Sequence, residues 1–189
     1  MSQFIESIKY EEGQIFHLKW HQDRVNKTFA KFYPSHPPIN LSEVIDVPNL
    51  KEKHKIRIEY NTVVTQLEFI EYQPKGVKGI EFIPITFSYA FKFKDRERIN
   101  ALQGQSSCDE VIFTKENQLL DSSYSNVALF DGNEWFTPTT YLLNGTTRQR
   151  LIFENKLKEI PIQIKDLPHF EKVSFINAMN DLDEHILLL

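Results

Sequence analysis

The chain has 189 residues, of which 41% are hydrophobic and 13% aromatic, so it can bury a core as one ample domain or two small ones. A net charge of -4 without any run of Lys or Arg excludes the electrostatic footprint of a nucleic-acid or lipid-headgroup binder. Cys108 is the single cysteine, which excludes an internal disulfide and a cysteine zinc site; no metal site is predicted, and a reducing cytoplasm is expected.

The N-terminal segment M-S-Q-F-I-E-S-I-K-Y-E-E-G alternates polar and apolar residues and carries acid early. This pattern predicts a strand over residues 3–10 and a second over 14–18, joined by a turn at Gly13. It does not suit the basic and apolar design of a signal peptide. No apolar run approaches the roughly 20 residues of a membrane helix, so no membrane partner is expected.

A helix is predicted next, because Val25, Phe29 and Phe32 are spaced four and three apart and share one face. Pro34 ends this run and opens a rigid loop. A short helix is expected near residues 42–45. Strands then dominate, and we predict them over residues 55–60, 63–72 and 80–88.

The charged segment after Phe93 predicts a helix from Lys94 onward. The segments C-D-E-V-I-F-T and S-N-V-A-L-F are predicted to pair as strands, with K-E-N-Q as the turn between them. The remaining expected elements are a helix over 146–157, a strand over 159–164, a short helix near 167–170 and two final strands. The fold class is therefore α/β (α+β), with lobes at residues 1–82 and 83–189.

Residues 121–148 contain the clearest candidate for a binding site. Asp121 lies five positions before Asn126, which opens an apolar strand, and Gly145, Thr146, Thr147 and an arginine open a helix. The free backbone N–H groups at a helix start, with two adjacent hydroxyls, can bind an anion such as phosphate. Taken alone, this pattern is more often an ordinary capped helix.

Two further candidates lie earlier in the chain. Lys92 ends the apolar run F-S-Y-A-F-K, where burial would favour the uncharged amine that nucleophilic chemistry needs. Lys94 competes with it for this role. Arg24 follows His21 by three positions, so both lie on one side of the predicted helix. Alone, such a lysine is more often a solvated side chain, and such an arginine is more often solvated or ion-paired.

The order of these parts resembles the fold-type IV pyridoxal-phosphate enzymes. An acidic residue, the Asn strand, Thr-Pro at 137–138 and G-T-T-R follow one another as in that family, which includes branched-chain and D-amino-acid aminotransferases and 4-amino-4-deoxychorismate lyase. The resemblance implies the two-lobed fold of D-amino-acid aminotransferases, here with a shortened first lobe, and a cofactor cleft between the lobes. It also implies pyridoxal 5'-phosphate as cofactor and a homodimer.

The resemblance assigns a role to each candidate. Lys92 takes the place of the Schiff-base lysine and Asp121 that of the acid, usually glutamate, which meets the pyridine nitrogen. Arg24 matches the arginine of the family's H-x-x-R motif, which contacts the phosphate. The other positions matched to cofactor contacts are Asn126, Gly145, Thr146, Thr147 and Asn177. Substrate contacts fall on Arg96 and Ala178.

The spacing K-F-K-D-R favours one branch of the family. In the lyase branch the Schiff-base lysine is followed by three residues and an arginine, which matches Lys92 and Arg96 and excludes Lys94. The prediction is a lyase similar to 4-amino-4-deoxychorismate lyase, which forms 4-aminobenzoate and pyruvate from aminodeoxychorismate for folate biosynthesis. An amino-acid aminotransferase of the same fold is the alternative, and a non-catalytic cofactor-binding homologue is a further one.

Overall fold

A computed structural model describes residues 2–189, which form two compact units. Unit 1 comprises the chain up to residue 73 and residues 91–95, and unit 2 comprises residues 74–90 and 96–189. The chain therefore returns to unit 1 for five residues, which include Lys92. The lobe bounds predicted from the sequence, residues 1–82 and 83–189, remain a prediction.

Unit 1 is an antiparallel sheet with one long helix against it. The helix α1 (Leu18–Phe32) follows a hairpin, and a single turn α2 (Leu41–Val44) comes next. The sheet has the order β2-β1-β3-β4. Its strands are β1 (Phe4–Glu11), β2 (Gln14–Ile15), β3 (His54–Tyr60) and β4 (Val64–Glu71). Val25 and Phe29 of α1 are buried in the core with Phe4 and Ile8 of β1, as the helical spacing predicted.

Unit 2 contains two sheets. The first has the order β5-β6-β7 and consists of β5 (Ile80–Pro84), β6 (Glu110–Lys115) and β7 (Gln118–Ser122). The second has the order β10-β9-β8-β11-β12 and consists of β8 (Asn126–Phe130), β9 (Trp135–Pro138), β10 (Lys158–Ile160), β11 (Lys172–Ile176) and β12 (Ile186–Leu188). The helices are α3 (Glu97–Gln105), α4 (Thr146–Phe153) and a 3-10 helix (Ile164–His169).

The predicted pairing of C-D-E-V-I-F-T with S-N-V-A-L-F is wrong. The turn at K-E-N-Q instead closes a hairpin between β6 and β7, with Lys115 opposite Gln118. Glu116 and Asn117 both have positive φ, which matches a two-residue hairpin turn whose next strand begins at once. The strand S-N-V-A-L-F pairs with β9 and β11. The sequence missed β7 because Q-L-L-D-S ends in polar residues.

Two predicted helices have different limits in the structure. The helix expected from Lys94 begins at Glu97, because Lys92 and Lys94 still make backbone hydrogen bonds to the start of β1. The helix expected over 146–157 ends at Phe153, since Asn155 adopts a left-handed conformation with φ 56°. A left-handed residue after the last turn is a common way to end a helix.

Among residues 2–189, no helix has both the length and the apolar character that crossing a bilayer requires.

Candidate active site

The D-S-S-Y-S-N motif forms the turn that joins β7 to β8. The N–H of Ser122 donates to the carbonyl of Ser125 at 2.8 Å, and the N–H of Ser125 donates to the Ser122 hydroxyl at 3.1 Å. The turn places Asp121, on β7, against Asn126, the first residue of β8. Asn126 Nδ2 donates to Asp121 Oδ1 at 2.7 Å. The five-residue spacing therefore produces a direct contact between the two side chains.

The carboxyl of Asp121 is buried and receives three hydrogen bonds. Besides the bond from Asn126, Oδ2 accepts from the backbone N–H of Leu143 at 2.7 Å and of Leu142 at 3.1 Å. Burial raises the pKa of Asp121 to about 7, although these donors favour the ionised form. The acid can therefore exist in both protonation states near neutral pH. Neither Leu142 nor Leu143 was a candidate from the sequence, because a backbone donor leaves no sequence signal.

Position 145 requires glycine because the side chain of Asn126 lies very close to its backbone. A Cβ atom at position 145 would lie 2.1 Å from Asn126 Oδ1 and 3.2 Å from its Cγ. Asn126 also donates to the carbonyl of Leu143 at 2.9 Å, which holds its amide in this place. The φ of Gly145 is -66°, which any residue can adopt, so the constraint is steric. The glycine of G-T-T-R thus belongs to the same cluster as Asp121.

The helix α4 begins at Thr146, and no side chain caps its first turn within the described chain. Thr146 and Thr147 are both buried. The first four N–H groups of a helix have no partner inside the helix, and the positive end of the helix dipole favours an anion. The helix start predicted as a phosphate site is therefore present and lies directly after Gly145.

Asn177 and Arg96 also contact the turn between β7 and β8. Asn177 Nδ2 donates to the Ser125 hydroxyl at 2.9 Å, and the half-buried Ala178 follows it in the turn after β11. Arg96 donates to the carbonyl of Ser123, and its Cζ lies 4.4 Å from the Tyr124 ring centroid. The predicted residues of unit 2 thus lie at the turn between β7 and β8, at the start of α4 and in the turn after β11; they are Asp121, Asn126, Gly145, Thr146, Thr147, Arg96, Asn177 and Ala178.

In unit 1, Arg24 is bound to a buried acid that the sequence analysis missed. Its Nε donates to Glu6 Oε1 at 2.8 Å and its Nη2 to Glu6 Oε2 at 2.6 Å. His21 Nδ1 lies 2.6 Å from Glu6 Oε2. Glu6 is fully buried, as are Phe4 and Ile8 at the same strand parity. A charged residue on the apolar face of an alternating strand was the signal that could have revealed it.

The charge states of this cluster follow from its contacts. Burial opposes ionisation of Glu6, but the Arg24 charge and hydrogen bonds from Arg24 and His21 outweigh it and lower the pKa of Glu6 to about 2. Burial lowers the pKa of His21, and the charges of Arg24 and Lys92 lower it further, against the opposing effect of Glu6. His21 is therefore neutral at pH 7, with Glu6 and Arg24 as an ion pair beside it.

The structure separates the two candidate lysines. The carbonyl of Lys92 accepts from the N–H of Ile5 at 3.0 Å, so residue 92 extends alongside β1, and its side chain is half-buried. Lys94 Nζ lies 2.6 Å from Glu59 Oε2 in an ion pair. This ion pair holds the Lys94 amine against a carboxylate of unit 1. Lys92 is thus the better candidate for amine chemistry.

The comparison with known protein families matches residues 86–182 to the model of amino-transferase class IV, which is more than half of the chain. This chain belongs to the class IV aminotransferase family. The matched segment includes Lys92 and Asp121 and extends beyond Asn177. The predicted resemblance to fold-type IV enzymes is thereby confirmed, and so is the α/β fold class.

Three individual proteins are similar to this class IV chain over most of its length. An uncharacterized protein of Haemophilus influenzae is 34% identical over 188 residues, with 96% of this chain and 100% of the relative covered. A structure from Haemophilus somnus 129PT, provisionally assigned as a 4-amino-4-deoxychorismate lyase, has a TM-score of 0.88 at 30% identity and covers 96% of this chain and 98% of its own. An aminotransferase from Brucella abortus, bound to the cofactor PLP, has a TM-score of 0.69 at 19% identity and covers 99% and 80%.

Proposed function

We propose that the protein is a pyridoxal-phosphate-dependent lyase that converts 4-amino-4-deoxychorismate to 4-aminobenzoate and pyruvate, a step of folate biosynthesis. The observation that carries the proposal is the buried carboxyl of Asp121, hydrogen-bonded beside an uncapped helix start, in a class IV chain. The likeness to the Haemophilus somnus structure and the spacing from Lys92 to Arg96 favour the lyase branch.

The residues present fit the chemical groups of pyridoxal phosphate. Its phosphate dianion needs N–H and hydroxyl donors, which the start of α4 supplies at Thr146 and Thr147. Its pyridine nitrogen needs an acid, and Asp121 is a buried one whose pKa lies near 7. Its aldehyde needs an amine that can lose its proton, and Lys92 is half-buried near other positive charge.

Each of these residues has a defined task in the proposed reaction. When bound, the cofactor supplies an electron sink for the bond broken next to the substrate nitrogen. Asp121 holds a proton at the ring nitrogen, and Thr146 and Thr147 bind the phosphate. Lys92 Nζ would hold the cofactor through its aldehyde carbon and, once free, would take up the proton from the carbon next to the substrate nitrogen as general base. Arg24 adds positive charge for the phosphate, and Glu6 fixes its guanidinium.

Asp121 replaces the glutamate that the resemblance leads us to expect. Its side chain is shorter by one methylene, about 1.5 Å of reach. The N–H groups of Leu142 and Leu143 fix the position of the shorter carboxyl in this chain. A longer acidic side chain at position 121 would have to break these two hydrogen bonds or turn away from the two N–H groups.

Lys92→Ala and Lys94→Ala form a matched pair that tests the attachment of the cofactor. We expect Lys92→Ala to lose the visible absorption band of lysine-bound cofactor, whereas Lys94→Ala keeps it because Lys94 is held by Glu59. Borohydride reduction of the wild-type protein, followed by peptide mapping, should place the pyridoxyl group on Lys92. A pyridoxyl group on another lysine would disprove the assignment.

Product analysis distinguishes the lyase from its alternatives. A lyase releases pyruvate from 4-amino-4-deoxychorismate, as a coupled lactate dehydrogenase assay would detect. An amino-acid aminotransferase, which the family description favours, would instead convert the bound cofactor to its pyridoxamine form with an ordinary amino acid. A protein that binds cofactor and does neither would match the non-catalytic alternative.

We also propose that the protein is a homodimer in a reducing cytoplasm. The family resemblance supports the dimer, and the single, half-buried Cys108 supports the compartment. Light scattering on the purified protein tests the dimer: a mass near 22.3 kDa would disprove it.

A further inference from the structure

The segment that supplies both backbone donors to Asp121 is held by one buried arginine. We name residues 138–144, which begin at the last residue of β9 and lead toward α4, the donor loop. Arg148 of α4 is 3% exposed. Its Nη2 donates to the carbonyl of Pro138 at 3.0 Å and its Nη1 to Asn144 Oδ1 at 3.2 Å. Arg148 therefore forms hydrogen bonds with the first and the last residue of the donor loop.

Arg148 also contacts the middle of the donor loop and is itself anchored. Its Cζ lies 4.5 Å from the centroid of the Tyr141 ring, a distance at which a cation and an aromatic face attract. Its Nη2 makes an ion pair with Glu159 of β10. The guanidinium thus joins α4, β10 and three points of the loop. These contacts restrict the loop, so that the N–H groups of Leu142 and Leu143 keep one orientation.

We propose that Arg148 is a positioning residue that holds the donor loop so that the N–H groups of Leu142 and Leu143 point at Asp121 Oδ2. Its charge has the same effect as the donors it positions, since both favour the ionised acid. The charged partner of Arg148 in this region is Glu159, which offsets part of that charge. Loss of Arg148 should therefore loosen the loop and make Asp121 easier to protonate.

The inference concerns the chain without cofactor, so it can fail while the proposed function stands. Arg150, two residues later on α4, offers a matched control. It is 5% exposed and pairs with Glu154 at 3.0 Å and Asp181 at 2.5 Å, so its loss also removes partly buried ion pairs. A general loss of stability would affect variants at both positions alike.

The first experiment measures the protonation of Asp121 directly. We would titrate its carboxyl carbon by 13C NMR in the wild type, Arg148→Gln and Arg150→Gln, with Asp121→Asn to assign the signal. Arg148→Gln should raise the pKa of Asp121 by about 1 pH unit, the size typical of one lost neighbouring charge, whereas Arg150→Gln should leave it unchanged. An equal pKa in the two glutamine variants would overturn the proposal.

The second experiment keeps the charge and removes only the forked geometry, so that it applies even where the glutamine variant fails to fold. Amide hydrogen exchange of Leu142 and Leu143 would be compared in Arg148→Lys and Arg150→Lys. We expect these two amides to exchange about tenfold faster in Arg148→Lys, as loss of a hydrogen bond implies, and at the wild-type rate in Arg150→Lys. Unchanged protection in Arg148→Lys would overturn the proposal.

Discussion

The protonation of Asp121 links a single residue to the stability of the chain. Burial raises the pKa of its carboxyl from the ordinary value of 3.8 to about 7. Between these two values the folded chain binds more protons than the unfolded chain, so this residue makes the free energy of unfolding decrease as pH rises. Above pH 7, the ionised carboxyl of Asp121, which is buried without a directly bound cation, therefore lowers the stability of the folded chain.

Asp121→Asn should change that pH dependence with a known sign. An amide does not titrate, so the free energy of unfolding of the variant, relative to the wild type, should increase from pH 4 to pH 7 and then level off. A difference of about 3 between the folded and unfolded pKa values corresponds to roughly 4 kcal/mol as an upper limit. Urea titrations of the cofactor-free protein at several pH values measure this change in stability. A constant gap between variant and wild type across this range would contradict a raised pKa.

Glu6 is buried like Asp121, but the pKa of its carboxyl is lowered and not raised. Its carboxylate contacts Arg24 and His21 directly, and this pairing lowers its pKa to about 2. The contrast with Asp121, which has neutral donors, shows that the partner and not burial alone decides the charge. Both acids lie in alternating or apolar segments, but the sequence identified only Asp121 through its motif.

At the scale of elements, the start of α4 and the start of β8 are fitted to each other. The side chain of Asn126 lies against the backbone of Gly145 and is bonded to Asp121 and to the carbonyl of Leu143. One glycine thus allows a strand, a helix and the donor loop to meet. No regular period in the sequence encodes this contact.

Gly145→Ala tests this fit. The new Cβ would lie 2.1 Å from Asn126 Oδ1, so the Asn126 side chain must leave and lose its bonds to Asp121 and Leu143. We expect a destabilisation of about 2 to 4 kcal/mol from overpacking and unpaired polar groups, measured by urea unfolding. Gly104→Ala is the control: that residue lies in α3 with open space around it, and should be neutral or stabilise by about 0.5 to 1 kcal/mol. Equal effects at both glycines would refute the steric explanation.

At the scale of the whole molecule, the chain path decides where Lys92 is held. Residues 91–95 belong to unit 1, although the residues on either side belong to unit 2. Phe93 packs on Phe4 with ring centroids 5.0 Å apart and on Phe32 at 5.7 Å, and the carbonyl of Lys92 is bonded to Ile5. Aromatic packing beside the lysine therefore anchors this short return segment.

Phe93→Ala should destabilise unit 1 even though position 93 is distant in sequence from its other strands. Removal of a packed aromatic ring typically costs about 3 to 5 kcal/mol, and less where the ring is partly exposed, so we expect about 2 to 4 kcal/mol. Phe153→Ala, at a ring that is 76% exposed, is the control and should change stability by less than about 0.5 kcal/mol. Urea unfolding followed by the fluorescence of Trp20 in α1, with Trp135 replaced by phenylalanine in every variant, measures both. A wild-type midpoint for Phe93→Ala would show that the segment is not anchored by this ring.

The sequence by itself determined the family, the order of the motifs and most elements, because hydrophobic period and turn chemistry act over a few neighbouring residues. The sequence marked Asp121 and Asn126 as candidates and predicted the face of α1 from three apolar positions, but it did not predict the contact between the two side chains. Only the tertiary structure decided that β6 pairs with β7, that Glu6 binds Arg24, and that Leu142 and Leu143 donate to Asp121. The two acids and their partners are distant in the chain, and Leu142 and Leu143 donate through backbone N–H groups that every residue except proline carries, so their role depends on where the fold places them.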